Sequence, residues 1–145
     1  MRYLYGEEVE YEYNLIQPED VTKLQAFSCD NKRLDYYIHN ELIQGNIVDT
    51  EDGLPFKVID LKTDDIITVF SLATSGIIWK MDNYTHVLPA IKIDIFATDI
   101  NYQKMHIDSA SKESVNPDEH FYLSDSIMCD VIRHCRDISE NKATA

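Results

Sequence analysis

At 145 residues, with 44% hydrophobic and 10% aromatic side chains, the chain has the size and composition of one folded domain with a real core, which excludes a disordered tail. Thirteen Lys and Arg stand against 26 Asp and Glu, a formal charge of −13 that repels nucleic acid and anionic membranes and attracts a basic protein surface. No apolar run reaches the roughly 18 residues of a membrane span, and an N-terminus carrying Glu7, Glu8, Glu10 and Glu12 has neither the basic nor the apolar region of a secretion signal.

Cys29, Cys129 and Cys135 form an odd set without a paired framework, so reduced thiols in a cytoplasmic protein are expected. Val9, Tyr11, Tyr13 and Leu15 alternate with Glu8, Glu10, Glu12 and Asn14, which predicts a strand with one apolar and one acidic face. Pro18, Glu19 and Asp20 then open a short helix that runs to about Phe27. Asp30 is placed to cap a second helix, striped by Leu34, Tyr37, Ile38 and Leu42 and stopping near Gly45. Asp49 to Gly53 reads as an exposed acidic turn.

From Pro55 onward the pattern is that of strands. Phe56 to Leu61 and Ile66 to Leu72 flank Lys62-Thr63-Asp64-Asp65, an antiparallel hairpin whose second strand continues or bends through Gly76 toward Trp79. After a polar loop, Leu88 to Ala97 is a further strand, with Ile91, Ile93 and Ile95 on one face and Lys92, Asp94 and Phe96 on the other. Residues 99–116 are an irregular polar insert. Asn116-Pro117-Asp118-Glu119 has the cap, proline and acids of a helix start, and Ile127, Met128, Val131, Ile132, Cys135 and Ile138 give that helix its stripe before a frayed tail at 141–145. These elements make a single α+β domain over residues 1–145, a mixed, largely antiparallel central sheet with packed helices.

Phe27-Ser28-Cys29-Asp30-Asn31-Lys32-Arg33-Leu34-Asp35-Tyr36-Tyr37-Ile38 and Leu88 to Asp99, followed by Tyr102-Gln103, carry a resemblance. In wording and order they are similar to the first two-thirds of the GCN5-related N-acetyltransferase (GNAT) fold, in its bacterial toxin-type and mobile-element branch. The resemblance spans roughly residues 20 to 138. It implies that the main chain of Ile95, Phe96 and Thr98 would hold the pantetheine arm of acetyl-CoA, and that Gln103 and Lys104 would begin a phosphate loop of the form Gln/Arg-x-x-Gly-x-Gly/Ala. Glycines in such a loop let N–H groups approach a pyrophosphate at a helix N-terminus.

The chain departs from that pattern. His106 and Asp108 stand where the family has small residues, about ten extra residues precede the helix near Pro117, and the strand, helix and hairpin that follow in the family, with its proton-donating tyrosine, have no counterpart before Ala145. Lys104, Ser109, Ser111 and Lys112 are side chains that could take over phosphate binding.

Other constellations have plainer readings beside the chemical ones. Asp130 and His134 at i, i+4 beside Cys135 resemble two metal ligands, but read better as a solvent-facing helix pair. His106 and His120 flank the insert as surface histidines. Tyr36, Tyr37, Tyr84 and Tyr102 are proton-donor candidates, Tyr37 fitting a buried stripe instead. Trp79, Tyr84 and His86 are an interaction surface or a loop anchor. Glu8, Glu10 and Glu12, repeating about every 6.6 Å along a strand face, could mimic a row of phosphates for a nucleic-acid-binding partner, or form a solvated sheet edge.

The sequence therefore favours a non-catalytic, acidic, GNAT-like protein-binding module without cofactor or metal, an inhibitor of a basic, nucleic-acid-handling protein of the kind phages and mobile elements carry. Its alternative is an acetyl-CoA-dependent N-acetyltransferase completed by oligomerisation, with Asp94 as the candidate base. Self-association into a homo-oligomer is expected in either case, because an incomplete sheet exposes an edge.

Overall fold

The computed structural model describes residues 3–5, 9–42, 53–108 and 120–144. Five strands form one antiparallel meander in chain order: β1 (Tyr3–Tyr5), β2 (Val9–Leu15), β3 (Leu54–Asp60), β4 (Ile66–Met81) and β5 (Tyr84–Thr98). A 3-10 turn at Pro18–Asp20 runs into α1 (Val21–Ala26), and α2 (Lys32–Tyr36) widens into a π-helical turn at Tyr37–Glu41. After β5 come α3 (Ile100–Gln103), a small antiparallel pair of β6 (His106–Asp108) and β7 (His120–Tyr122), and α4 (Leu123–Thr144). No described helix is long and apolar enough to cross a membrane.

Period-2 and period-3.6 patterns explain the layering. Val9 and Tyr11 of β2, Val58, Ile67 and Phe70 pack against Leu123, Ile127 and Val131 of α4 on one sheet face. On the other, Ile66, Val69 and Ala97 pack against Leu24, Phe27, Ile38 and Leu42 from the α1–α2 side. Burial of these side chains, at roughly 1.5–3 kcal/mol each, is the main force holding both helical layers to the sheet.

Polar bonds fix how the layers sit. The Asp20 carboxylate accepts the Gln17 N–H at 2.8 Å and both its oxygens meet Lys57 Nζ, at 2.7 and 2.8 Å, pinning the first helical turn to β3. Across the other face, the Tyr11 hydroxyl donates to the Asp130 carboxylate and lies 3.1 Å from Ser126 Oγ, while the Tyr13 ring meets His134 edge-on with centroids 5.0 Å apart. Asp130 and His134 thus face β2 and are half-buried, where a solvent-facing pair was expected. The partners of Tyr11 and Tyr13 account for both.

Several expected boundaries shift. Asn31, not Asp30, caps α2, its side chain accepting from the Arg33 and Leu34 N–H groups at 3.1 Å, while Asp30 takes a left-handed φ of 61° to turn the chain into the cap. α4 begins at Leu123, because His120–Tyr122 pair with β6 and the Asp125 carboxylate accepts the Tyr122 N–H at 3.2 Å. The expected start at 116–119 and the helix end near Gly45 lie outside the described residues. The insert holds α3 and β6, and the tail expected to fray is helical to Thr144. β1 pairs with Val9–Tyr11, so Glu10 stands within the sheet and not on an edge, whereas Glu12 pairs only with β3 among the described residues, and Glu8 lies outside them.

β4 and β5 are far longer than expected. The polar loop is a two-residue turn at Asp82-Asn83, with Asp82 at φ 47°, and Trp79, Tyr84 and His86 lie on strands. Ser71 pairs with Ile95 but Leu72 with Ile93, so Asp94 is an extra residue in β5, a β-bulge. The bulge resets the alternation: Ile93 and Phe96 both pack on the α4 face, which corrects the assignment of Phe96 to the face opposite Ile93.

Gly53 begins the approach to β3 at φ 89°, where an added Cβ would collide with the Leu72 carbonyl and lie 2.8 Å from Ala73 Cβ. Gly53→Ala is expected to cost at least about 2 kcal/mol of stability through backbone strain and collision, read as a lowered urea midpoint at unchanged m-value.

Candidate cofactor and active site

The two segments that carried the resemblance are stitched together. The Ser28 N–H donates to the Asp99 carboxylate at 3.2 Å, and the Ile100 N–H returns to the Ser28 carbonyl at 2.8 Å. Gln103 Nε2 donates to the carbonyls of Cys29 and Thr98, at 2.7 and 2.8 Å. The other Asp99 oxygen caps α3 through the Asn101 N–H at 2.9 Å. Gln103 is thereby held inward as a clamp between α1–α2 and the end of β5.

The same geometry governs the candidate phosphate loop. The N–H groups of Tyr102 and Gln103 both bond to the Asp99 carbonyl, at 2.9 and 3.0 Å, and that of Met105 bonds to the Tyr102 carbonyl at 3.2 Å. Met105 in turn accepts the Leu123 N–H at 2.9 Å, and His106–Asp108 pair with β7. A diphosphate needs main-chain donors that are free to turn toward it. Here the chain uses them itself, so residues 102–105 do not fit the phosphate half of a coenzyme through the backbone. Lys104 is exposed at the end of α3.

Upstream the edge is open. β5 is the last strand of the sheet, so among the described residues no strand pairs with the outer side of Ile95–Thr98. Phe96 packs toward α4, Ala97 and Thr98 are buried as whole residues, Thr98 Oγ1 lies 3.1 Å from Thr68 Oγ1 and the Thr98 carbonyl is held by Gln103, so the main chain this edge offers lies at the half-buried Ile95 and Phe96. An extended arm bearing amides fits such an edge as a strand would. Asp94 stands on the bulge with its carboxylate 2.6 Å from Lys92 Nζ.

Nearby polar groups are committed elsewhere. The buried Tyr102 hydroxyl donates to Asp60 at 3.1 Å and has its pKa pushed up to about 12, first by burial, with Asp60 adding to the rise. Tyr36 and Tyr84 are exposed and Tyr37 half-buried in the α2 stripe. The cleft lined by Lys23, Phe27, Asp65, Ile66, Asn101 and Tyr102 holds about 180 Å³, below the roughly 300 Å³ at which small-molecule pockets begin.

Cys29 is buried beside Asp35, and burial, then its bond to that carboxylate, raises its pKa to about 11. Burial also acts to raise the Asp35 pKa, but the Cys29 N–H at 2.8 Å, the Cys29 thiol and the Ser28 hydroxyl outweigh it and bring the net value below the usual range. The folded thiol holds its proton where the unfolded one, near 9, has lost it, so stability should fall as pH rises from 9 toward 11. A depressed Asp35 likewise favours the fold above the ordinary carboxylate range and loses that effect in acid. Urea midpoints from pH 7 to 11 should decline for the wild type and less steeply for Cys29→Ala, the remaining decline coming from groups such as Tyr102 whose pKa is also raised; equal slopes would contradict the assignment.

No protein-family model matches the sequence, and no curated protein does. Solved structures match the fold. A structure described as a bacterial toxin superposes with TM-score 0.60 at 13% identity, over 90% of this chain and 67% of that one. A point mutant of KacT gives TM-score 0.59 at 12% identity, over 90% and 71%. AtaTR bound with AcCoA gives 0.51 at 12%, over 65% and 59%, so the chain spans about six- to seven-tenths of the length of these structures. At such identities it is the fold alone that is shared, a GNAT-like fold in which an antiparallel sheet carries helices on both faces.

Proposed function

We propose that the chain is an acetyl-CoA-dependent N-acetyltransferase of the toxin type, with the coenzyme's arm lying along the outer edge of β5 and its phosphates left to side chains. The observation that carries this reading is the outer edge of β5 at Ile95 and Phe96, which no described strand pairs, beside the Asp94 bulge. It lies in a fold shared with toxin acetyltransferases, and one structure of that fold, AtaTR, is bound with AcCoA. That support reverses the weighting drawn from the sequence, in which the altered loop favoured a non-catalytic module.

Acetyl-CoA supplies the activated acyl group. This chain's part is to orient and to move a proton. On this reading the main chain of Ile95 and Phe96 would fix the arm, and Asp94, on the bulge and ion-paired with Lys92, would accept the acceptor amine's proton through a water. Exposed Lys104, next in sequence to Gln103 of the clamp, would meet phosphate, joined by side chains among residues 109–112 outside the described region.

The second reading, a non-catalytic acidic protein that binds a basic partner, is favoured by the internally bonded amides of residues 102, 103 and 105. Action as an inhibitor of a nucleic-acid-handling protein rests on the −13 charge and the row of Glu10 and Glu12.

Calorimetry separates the two. Acetyl-CoA should bind in the micromolar range, and acetyl-pantetheine, which lacks the diphosphate, should bind within about tenfold of it, a difference under about 1.4 kcal/mol. Lys104→Ala should weaken only the former. Asp94→Asn should leave binding intact and lower turnover about 10²-fold or more. No heat from acetyl-CoA up to about 1 mM, together with salt-sensitive binding to a basic protein, would establish the second reading instead.

A further inference from the structure

Beyond Leu72, the last residue of β4 that pairs with β3, the β4–β5 hairpin leaves the body of the sheet as a two-stranded arm. Residues 74–89 are exposed throughout. Eight residues from Thr74 to Met81 reach about 26 Å at roughly 3.3 Å per residue.

The register sorts this arm into two unlike faces. Ile77 pairs with Leu88, Trp79 with His86 and Met81 with Tyr84, so these six side chains share one face. Ile78, Val87, Lys80 and Thr85 share the other. On the first face the Trp79 and His86 rings lie 6.0 Å apart and those of Tyr84 and His86 6.3 Å. A depression of about 230 Å³, lined from this face by Trp79, Met81, His86 and Leu88 and bordered by Val87, has room for one large side chain. Isolated hairpins are marginal in water, and contiguous exposed apolar surface of this kind marks an interface.

We propose that the face bearing Ile77, Trp79, Met81, Tyr84, His86 and Leu88 is a self-complementary interface through which two copies of this chain pair, arm upon arm. Charge selects the occupant. Residues 74–89 contain one Lys and one Asp, Lys80 and Asp82, so the arm is neutral and the charge of −13 lies on the rest of the chain. A basic partner drawn by that charge has no reason to settle on the arm. Two like-charged copies, in contrast, can meet there while their acidic bodies stay apart by about three times the roughly 8 Å Debye length at physiological salt.

Area agrees. Ile77, Trp79, Met81, Tyr84 and Leu88 of this face are each 52–70% exposed, which places on the order of 600 Å² of residue surface there before His86 is added, approaching the roughly 800 Å² a standard interface takes from each partner. A twofold axis through the arm brings one Trp79 toward the other copy's depression, the central aromatic anchor such interfaces favour. This pairing does not depend on coenzyme binding.

Sedimentation equilibrium and the emission of Trp79, the chain's single tryptophan, test it. The wild-type chain should sediment at twice 16.8 kDa, and its emission should move to longer wavelength on dilution through the dissociation range. Trp79→Asp and Leu88→Asp should each sediment at 16.8 kDa with unchanged thermal unfolding of the body. Ile78→Asp, on the opposite face, should remain dimeric, and raising NaCl from about 50 to 500 mM should leave the dimer intact or tighten it. A wild-type monomer at about 100 μM, an open-ended assembly, a dimer that survives both Trp79→Asp and Leu88→Asp, or one that Ile78→Asp disrupts equally would each overturn the proposal.

Discussion

The structure turns on the hydrogen-bonded seam between the turn at Ser28-Cys29 and the end of β5. Three elements meet there through short polar bonds: Ser28 with Asp99 and Ile100, and Gln103 with the carbonyls of Cys29 and Thr98. The seam is partly buried, so leaving any one of these groups unmatched would cost more than the bond itself contributes. It sets the direction in which the chain leaves β5 and closes residues 99–103 into a helical turn. That turn consumes the amides a phosphate loop would otherwise present. The same constraint thus gives the fold its cohesion and alters what the site can hold.

From the seam the chemistry divides. The stretch of β5 before it keeps an open outer edge, and the bulge at Asp94 sets a carboxylate on a local kink beside that edge. The stretch after it is closed upon itself. A coenzyme that binds here therefore draws most of its main-chain contacts from its arm and few from its diphosphate, the reverse of a glycine-rich cradle. Side-chain phosphate binding is looser and more salt-sensitive than binding by fixed amides, because long cationic side chains must be ordered to do it.

Much of the fold was legible in the sequence where periodicity is strong. The stripe of Leu34, Tyr37, Ile38 and Leu42 and the hairpin around Lys62 to Asp65 follow from spacing alone and pack as expected, while the last helix packs through Ile127, Val131 and Cys135 of its expected stripe and leaves Ile132 exposed. The bulge was invisible, since Ile91 to Ile95 alternates without a break and one extra residue leaves no compositional mark. Adjacent Asp30 and Asn31 are both good caps, and only the left-handed φ of Asp30 decides between them. The arm was only half seen: the second strand reads through Gly76 toward Trp79, but the stretch from there to Leu88 reads as a polar loop, although Asp82-Asn83 between alternating apolar residues carried a hairpin signal. The seam was beyond sequence reasoning: Gln103 matched a motif position, but its bond to Cys29 spans 74 residues, and no local pattern reports such a pairing.

Amide hydrogen exchange with and without acetyl-CoA tests the central claim most directly. The amides of Gln103 and Met105 should exchange slowly without ligand and not change on its addition, while amides on the outer edge of β5 around Ile95 and Phe96 should slow when acetyl-CoA is present. Fast exchange at residues 103–105 that becomes slow only with acetyl-CoA would mean that these groups are free to cradle the diphosphate, and would contradict it.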